Sequence, residues 1–452
     1  MYNFTVSFDR SSKKPLYEQL YNYIVNEIRS KNLNPDERMP SKKSLASHLG
    51  ISRNTIETAY EILVDEGYLR SVPRSGYYVC RIDEPVGQKI EVTYTKPKKK
   101  NACRIDFRTN AVDSHAFPFA TWAKLSKDIS SPKLLDIGNP QGDYDLREVI
   151  AKYLHEFRGV RCAPEQIVVG AGMEYLLMLL MKILGSKKTY AFENPGYGKS
   201  HNIIADGGND IIYIPLDDDG MKTDMLKNSQ ADIVYITPSH QFPTGSVMSV
   251  GRRLELLSWA SENNRYIIED DYNSEFNFSI KPVPAVQGLV EGSRVIYMST
   301  FSRILAPSIR IAYMALPPEL LDDYKSHFGM YSSTVSRFEQ QTLKEFISGG
   351  YLQRHLNRMK NIYRKRRDMM ISAINALPYP MEIYGEKSGL HLLVKTPRAE
   401  EILKKSAKKG IKLYNLDDYY FTPQKKSSST LIIGYASCTE DEINELIDTI
   451  MN

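Results

Sequence analysis

Of its 452 residues, only four are cysteine and two tryptophan. Cys80, Cys103, Cys162 and Cys438 lie far apart without CxxC spacing, which argues against a disulfide framework or a thiolate metal site and leaves idle or buried thiols. No run approaches the roughly eighteen apolar residues that a membrane span requires, and the opening MYNFTVSFDRSSKKP lacks an apolar signal segment. A cytoplasmic chain with no membrane partner is expected. Charge of one sign is also scarce: 59 basic residues against 54 acidic leave a net +5, which permits contact with a polyanion without pointing to one. What is present is ordinary globular material, 42% hydrophobic and 25% charged. The length exceeds one core, so two or three domains are expected.

The first domain is placed at residues 10–80. Leu16, Leu20, Ile24 and Ile28 recur every fourth residue behind Pro15, marking an amphipathic helix. A second, short helix follows Ser41, carries Leu45 and Leu49, and ends at Gly50. A third starts at a Ser52 cap, with Ile56, Ala59, Tyr60 and Leu63 on one stripe and Gly67 behind it. YLRSVPRSGYYVC then reads as two strands around a turn. Three helices and a wing make a winged helix-turn-helix pattern. A recognition helix in the major groove of double-stranded DNA exposes its first residues, here Ser52, Arg53, Asn54 and Thr55, with Arg53 and Asn54 suited to read bases. Lys42, Lys43 and Arg74 are placed for phosphates, which position a protein without reading sequence. The alternative is a helical interaction module whose charges are solvated. Against it, PLYEQLYNYIVNEI, MPSKKSLASHLGISRNTIETAYEILVDEGYL and SGYYV together resemble the GntR-type winged helix along its whole length.

Residues 81–104 read as a linker, with two prolines and no helical period. Its Lys96, Lys98, Lys99 and Lys100 form a solvated charge run, with contact to DNA phosphates as the alternative.

From 105 to 452 strand-like runs alternate with helical stretches: QIVVGAG, KTYAFENPGY, DIIYIPLD, DIVYITPS, RYIIEDD, VIYMSTFS and IRIAYMAL. Such alternation implies an α/β domain with a mainly parallel sheet covered on both faces. HLLVKT, a helix, TLIIGYAS and a final helix read as a smaller α+β lobe. Ligands of open α/β sheets bind at the carboxyl ends of strands. There the turn Gly170-Ala171-Gly172 opens a helix, so that backbone N–H groups near Met173 and Glu174 suit a phosphate. Asp270, ending a strand, suits a protonated ring nitrogen, and Tyr272 a ring oxygen; capping of the next helix is the bland alternative for Asp270. His240 and Gln241 occupy a tight turn, which a structural corner also explains. Ser302 and Arg310 are suited to phosphate.

The order GAG, ENPGY, TPSHQFPTG, IIEDDYNSEF and TFSRILAPSIR, behind NPQGDYDLREVIAKYL, resembles the aminotransferase-like domain of the MocR/GabR regulators, which descend from fold-type-I pyridoxal-phosphate enzymes. Fusion to a GntR-type head strengthens the resemblance, which spans essentially the whole chain. It implies a homodimer that binds DNA and a small-molecule effector, with pyridoxal 5′-phosphate as cofactor. It also implies cofactor contacts from Gly172, Met173, Tyr197 and His240, from Asp270 to the pyridine nitrogen, Tyr272 to the ring oxygen, and Ser302 with Arg310 to the phosphate.

One departure bears on chemistry. Where the family has its Schiff-base lysine, this chain has Arg303, and a guanidinium offers no free amine for covalent attachment. The domain is therefore expected to be no enzyme. Ile432 stands in the region of a substrate-carboxylate arginine, and Ile137 where a tyrosine often approaches the phosphate. Two readings of the pocket stay open: reversible pyridoxal phosphate binding with Arg303 nearby, or capture of another anionic metabolite by Arg303. A degenerate pocket kept as a dimerisation scaffold is a third. The rival function is an aminotransferase with a DNA-binding head, against which Arg303 argues, because arginine is a poor general base.

Overall fold

The computed structural model describes residues 4–9, 12, 14–82, 103–129, 131–278, 283–387, 389–423 and 429–451. The chain divides into two units, Met1–Lys99 and Lys100–Asn452. Lys96, Lys98, Lys99 and Lys100, with most of the expected linker, lie outside the described residues.

The first unit holds α1 (Leu16–Arg29), α2 (Lys42–Leu49), α3 (Arg53–Asp65), β1 (Leu69–Val72) and β2 (Gly76–Val79). Both expected caps form: Ser41 Oγ accepts the Ser44 N–H and Ser52 Oγ the Thr55 N–H, each at 3.1 Å. Gly50 closes α2 at φ 65°, where a side chain would strain the backbone. Leu20, Ile24, Ile28, Leu45, Ile56, Ala59, Tyr60 and Leu63 meet in one core. Periodicity gave no warning that Phe4 would join them or that residues 36–39 would pair with β2. Met39 N–H donates to the Tyr77 carbonyl at 2.9 Å, and Val79 N–H to that of Glu37 at 3.0 Å. Ser52→Ala removes one cap, worth about 1 kcal/mol. Amide exchange of the first turn of α3 in the DNA-free chain should accelerate about fivefold.

The second unit begins with β3 (Ile105–Asp106), α4 (Phe119–Lys127) and α5 (Tyr144–Arg158). Then follow β4 (Ile167–Gly170), α6 (Met173–Leu184), β5 (Thr189–Asn194), α7 (Gly198–Asp206), β6 (Asp210–Asp217), β7 (Gly220–Met221) and α8 (Thr223–Lys227). Next come β8 (Ile233–Ile236), α9 (Val250–Glu262), β9 (Tyr266–Asp270), α10 (Val286–Leu289), β10 (Val295–Thr300) and β11 (Ala312–Ala315). The chain continues through α11 (Leu321–Phe328), α12 (Arg337–Ser348), α13 (Tyr351–Asn375), β12 (Glu382–Tyr384), β13 (His391–Lys395) and α14 (Ala399–Lys408). It closes with β14 (Ile411–Lys412), β15 (Tyr414–Asn415), β16 (Thr430–Gly434) and α15 (Glu440–Met451).

Its main sheet has the order β4-β11-β10-β9-β8-β5-β6-β7. Strands β10, β9, β8, β5 and β6 pair in parallel, whereas β11 runs antiparallel to both β4 and β10. The apolar runs are continuous because both faces are covered. Ile233, Tyr235, Ile296 and Met298 point into a layer with α6 and α11, while Val234, Ile236 and Val295 point into the layer with α9. Helices α5, α12 and α13 cover β4 and β11 on that second side. The smaller lobe is an antiparallel sheet, β12-β13-β16-β15, and β3 pairs in parallel with β14. None of the described helices is long and apolar enough to cross a membrane.

Candidate functional site

The strands β4, β5, β8, β9 and β10 bring their carboxyl ends to one edge of the sheet, where a cleft opens. Gly172, Met173, Tyr197, Asp270, Tyr272, Ser302, Arg303 and Arg310 all line it. The antiparallel turn of β11 is what returns Arg310 to this edge. Gly172 (φ 101°) admits it: a Cβ there would lie 2.4 Å from Arg310 Nη2.

Three consecutive carboxylates, the last two residues of β9 and the one after it, stand at its end, and the pleat sorts them. Glu269 accepts the N–H groups of Val286 and Gln287 at 2.9 and 3.0 Å. Asp271 is clasped by Arg158 Nε at 2.7 Å and the Tyr297 hydroxyl at 2.6 Å. Only Asp270 faces the cleft. Tyr235 donates to its Oδ2, while Oδ1 is buried without a hydrogen-bond partner among the described residues. The Tyr272 hydroxyl and Ser302 Oγ, on the same cleft, are likewise buried and unpartnered among the described residues. Buried polar groups left so are costly, and ordered water, an ion or a ligand satisfies them.

Burial pushes the Asp270 carboxyl up to about 7, against the Tyr235 hydrogen bond; nearby Asp271 raises it further and Arg303 opposes. A folded-state value above the ordinary 3.8 gives stability that is greatest below about pH 4 and is lost as the pH rises to about 7. Glu193 and Glu269, also raised to about 7 by burial, lose stability over the same window. The ligand-free Asp270→Asn variant should therefore fall less in thermal stability than the parent chain between pH 5 and 8. Equal slopes would mean that Asp270 is ionised throughout.

Arg303 reaches over the Tyr272 ring, its guanidinium carbon 5.5 Å from the centroid, with Nη1 donating to the Thr109 carbonyl at 3.4 Å. Among the described residues no carboxylate forms an ion pair with it. Its charge bears on Tyr197, His240, Asp270, Tyr272 and His391, which places it centrally.

His240 departs from expectation, being buried and absent from the cleft wall. Its ring packs 6.1 Å from that of Tyr272 and 5.1 Å from that of His391, against Gly389, where a Cβ would meet Nε2 at 2.0 Å. Gln241 tightens this turn by donating to the Pro195 carbonyl at 3.0 Å. Ile432 is buried in β16 among Leu393 and Leu416, away from the cleft, and Ile137 is 86% exposed on a separate hollow. Sequence reasoning passed over Lys199, Thr237, Phe242, Thr300 and Asn110 on the cleft wall. Lys199 stands two residues beyond Tyr197, in reach of a local signal; Asn110 precedes the first helix of the unit and had none.

In the winged helix, Lys43, Ser52, Arg53, Asn54 and Arg74 are exposed, Arg74 at the wing tip with φ 60°. Ser52 and Thr55 share a hydroxyl contact of 2.8 Å, so both are engaged in the cap. Lys42 is not offered to solvent as expected: Nζ lies 2.6 Å from Glu57 on α3 and 5.4 Å from the Tyr77 ring centroid. The packing of α2 on α3 and β2 accounts for that. No group of three or more described His, Cys, Asp or Glu residues is arranged to hold a metal.

Two families match the chain: "Bacterial regulatory proteins, gntR family" over residues 16–79 and "Aminotransferase class I and II" over residues 104–450. The uncharacterized HTH-type transcriptional regulator YdeL of Bacillus subtilis is 40% identical, covering 98% of this chain and 97% of its own. The probable rhizopine catabolism regulatory protein MocR of Rhizobium meliloti is 32% identical over 98% and 94%. The pyridoxine biosynthesis regulator PdxR of Corynebacterium glutamicum is 27% identical over 96% and 94%. Among solved structures, the kynurenine aminotransferase of Pyrococcus horikoshii, in complex with PMP, superposes with a TM-score of 0.68 at 26% identity, covering 78% of this chain and 90% of its own. With a GntR-type head, a fold-type-I aminotransferase domain and relatives alike from end to end, the chain belongs to the MocR/GabR-type transcription regulators.

Proposed function

We propose that this chain is a homodimeric, ligand-responsive transcription regulator. Its winged helix binds double-stranded DNA, and its cleft senses pyridoxal 5′-phosphate, or a closely related anionic metabolite, without a covalent bond. One observation carries the sensing role: Asp270 Oδ1, the Tyr272 hydroxyl and Ser302 Oγ line one cleft, buried and unpartnered among the described residues. These donors and acceptors fit the group. Asp270 would hold the protonated ring nitrogen, Tyr272 the ring oxygen, and Ser302 with Arg310 the phosphate, beside the N-terminal turn of α6. When bound, the group supplies an aldehyde on an electron-withdrawing ring. Arg303 neither attaches to that aldehyde nor serves as the base that amino-acid turnover needs, so the domain works as a sensor and not as an enzyme. A relative named for pyridoxine biosynthesis supports a vitamin-like ligand, and the GntR-type head supports DNA as the macromolecular partner.

Calorimetric titration with pyridoxal phosphate, followed by DNA-binding measurements with and without it, tests this reading. Saturable binding, weakened ten- to a hundredfold in Asp270→Asn and coupled to a change in DNA affinity, is the expected result. Transamination of any amino acid by the intact chain would overturn it, as would the absence of sequence-preferring DNA binding at moderate salt.

A further inference from the structure

Two side-chain cations of the cleft are held by one carboxylate. Glu174, in the first turn of α6, takes Arg310 Nη2 at 2.9 Å on one oxygen and has Lys199 Nζ 3.6 Å from the other. Arg310 also donates to the Ala171 carbonyl at 3.2 Å and lies across Gly172. Carboxylate and guanidinium together thus lie over the N-terminal turn of α6, where the helix dipole favours an anion. Burial alone would raise the Glu174 carboxyl. The Arg310 hydrogen bond, its own backbone N–H and the two positive charges outweigh burial, so it stays below the usual carboxylate range and ionised.

Stability does not account for the arrangement. The two cations are 51% and 64% exposed, and pairs of that kind contribute little to folding. Meanwhile Ser302 Oγ, on the same cleft, is buried without a partner among the described residues. The cleft therefore combines two tethered cations, an unpaired hydroxyl and a resident carboxylate in the place of an anion.

We propose that Glu174 is an internal counter-ion, which a phosphate group must displace from Arg310 and Lys199, so that the cleft admits dianionic phosphate esters and rejects singly charged anions. A monoanion arriving at Arg310 and Lys199 exchanges like for like with the resident carboxylate and gains nothing there. A phosphate brings nearly two charges and three acceptor oxygens, enough to engage both cations and the Ser302 hydroxyl at once. Its second ionisation lies near pH 6, so binding strengthens between about pH 5 and 7.5. The inference rests on reading the cleft as a site for a phosphate-bearing ligand.

The test titrates the full-length chain at pH 7.5 with inorganic phosphate, pyridoxal phosphate, pyridoxal and formate, comparing the parent, Glu174→Gln and Lys199→Met. Removing the resident charge should tighten both phosphate ligands about tenfold, leave pyridoxal within about twofold, and let formate bind. Lys199→Met should weaken the phosphate ligands several-fold and spare pyridoxal, which keeps the proposal testable if Glu174→Gln fails to fold. Unchanged or weaker phosphate binding in Glu174→Gln overturns it, as does unchanged phosphate binding in Lys199→Met. Uptake of formate by the parent as readily as phosphate, or no phosphate binding by parent or variant, also overturns it. Tight pyridoxal phosphate binding with no response to Glu174 would remove the counter-ion and leave the sensing role. A tenfold phosphate response with no ring-dependent binding would do the reverse.

Discussion

Replacing Arg303 with lysine should turn reversible binding into covalent capture. After incubation with pyridoxal phosphate and borohydride reduction, intact mass should show one phosphopyridoxyl group per chain in Arg303→Lys and none in the parent protein. The expectation follows from position: the guanidinium carbon stands 5.5 Å from the Tyr272 ring centroid, on the cleft that Asp270, Ser302 and Arg310 share. A lysine there is pointed at the same space and carries a primary amine able to attack an aldehyde. The effect runs from nothing to stoichiometric labelling, because the guanidinium has no amine to offer. Labelling of the parent chain would assign attachment to another amine, with Lys199 as the first to examine by peptide mapping. A variant that binds but takes no label would place the aldehyde away from residue 303 and end this assignment of the cleft.

The second large effect is on DNA. Arg53→Ala and Asn54→Ala should each weaken binding to the preferred site by about 1–3 kcal/mol, roughly five- to a hundredfold, while binding to unrelated duplex changes far less. Both side chains are exposed in the first turn of α3, on the rim that Ser52 caps. Lys43→Ala and Arg74→Ala should weaken all sequences alike and reduce the salt slope by about one each. Lys42→Ala should leave that slope nearly unchanged, because its ammonium is committed to Glu57. Equal losses on specific and unrelated DNA for Arg53 and Asn54 would move the base-reading surface elsewhere.

Much of the head was legible because its signals are local. A cap, a four-residue stripe and a closing glycine act over a few bonds, and Ser41, Ser52 and Gly50 stand where they were expected. What local pattern missed was non-local: Phe4 entering the core, and residues 36–39 adding a third strip to the wing. In the large unit the alternating runs announced a covered sheet, and each reappears as a strand. That β11 runs against both neighbours was not readable, since direction depends on the path between strands and not on their composition. That reversal is also why Arg310 meets Gly172, some 140 residues away in the chain.

The sequence alone determined the architecture, a GntR-type head on an aminotransferase-like body, and put an arginine, Arg303, where the family resemblance leads one to expect the attaching lysine. It did so because motif order and residue chemistry are properties of the chain itself. Asp270 was singled out from the chain, but only the tertiary structure decided what its neighbours do: the pleat turns Asp270 toward the cleft and gives Glu269 and Asp271 to partners in the packed layer behind it. Tertiary packing likewise set His240 behind Tyr272, paired Lys42 with Glu57, and bound Arg310 and Lys199 to Glu174. Each of those outcomes depends on which side chains from distant segments come within hydrogen-bonding reach, a matter of distance in space that spacing along the chain does not encode.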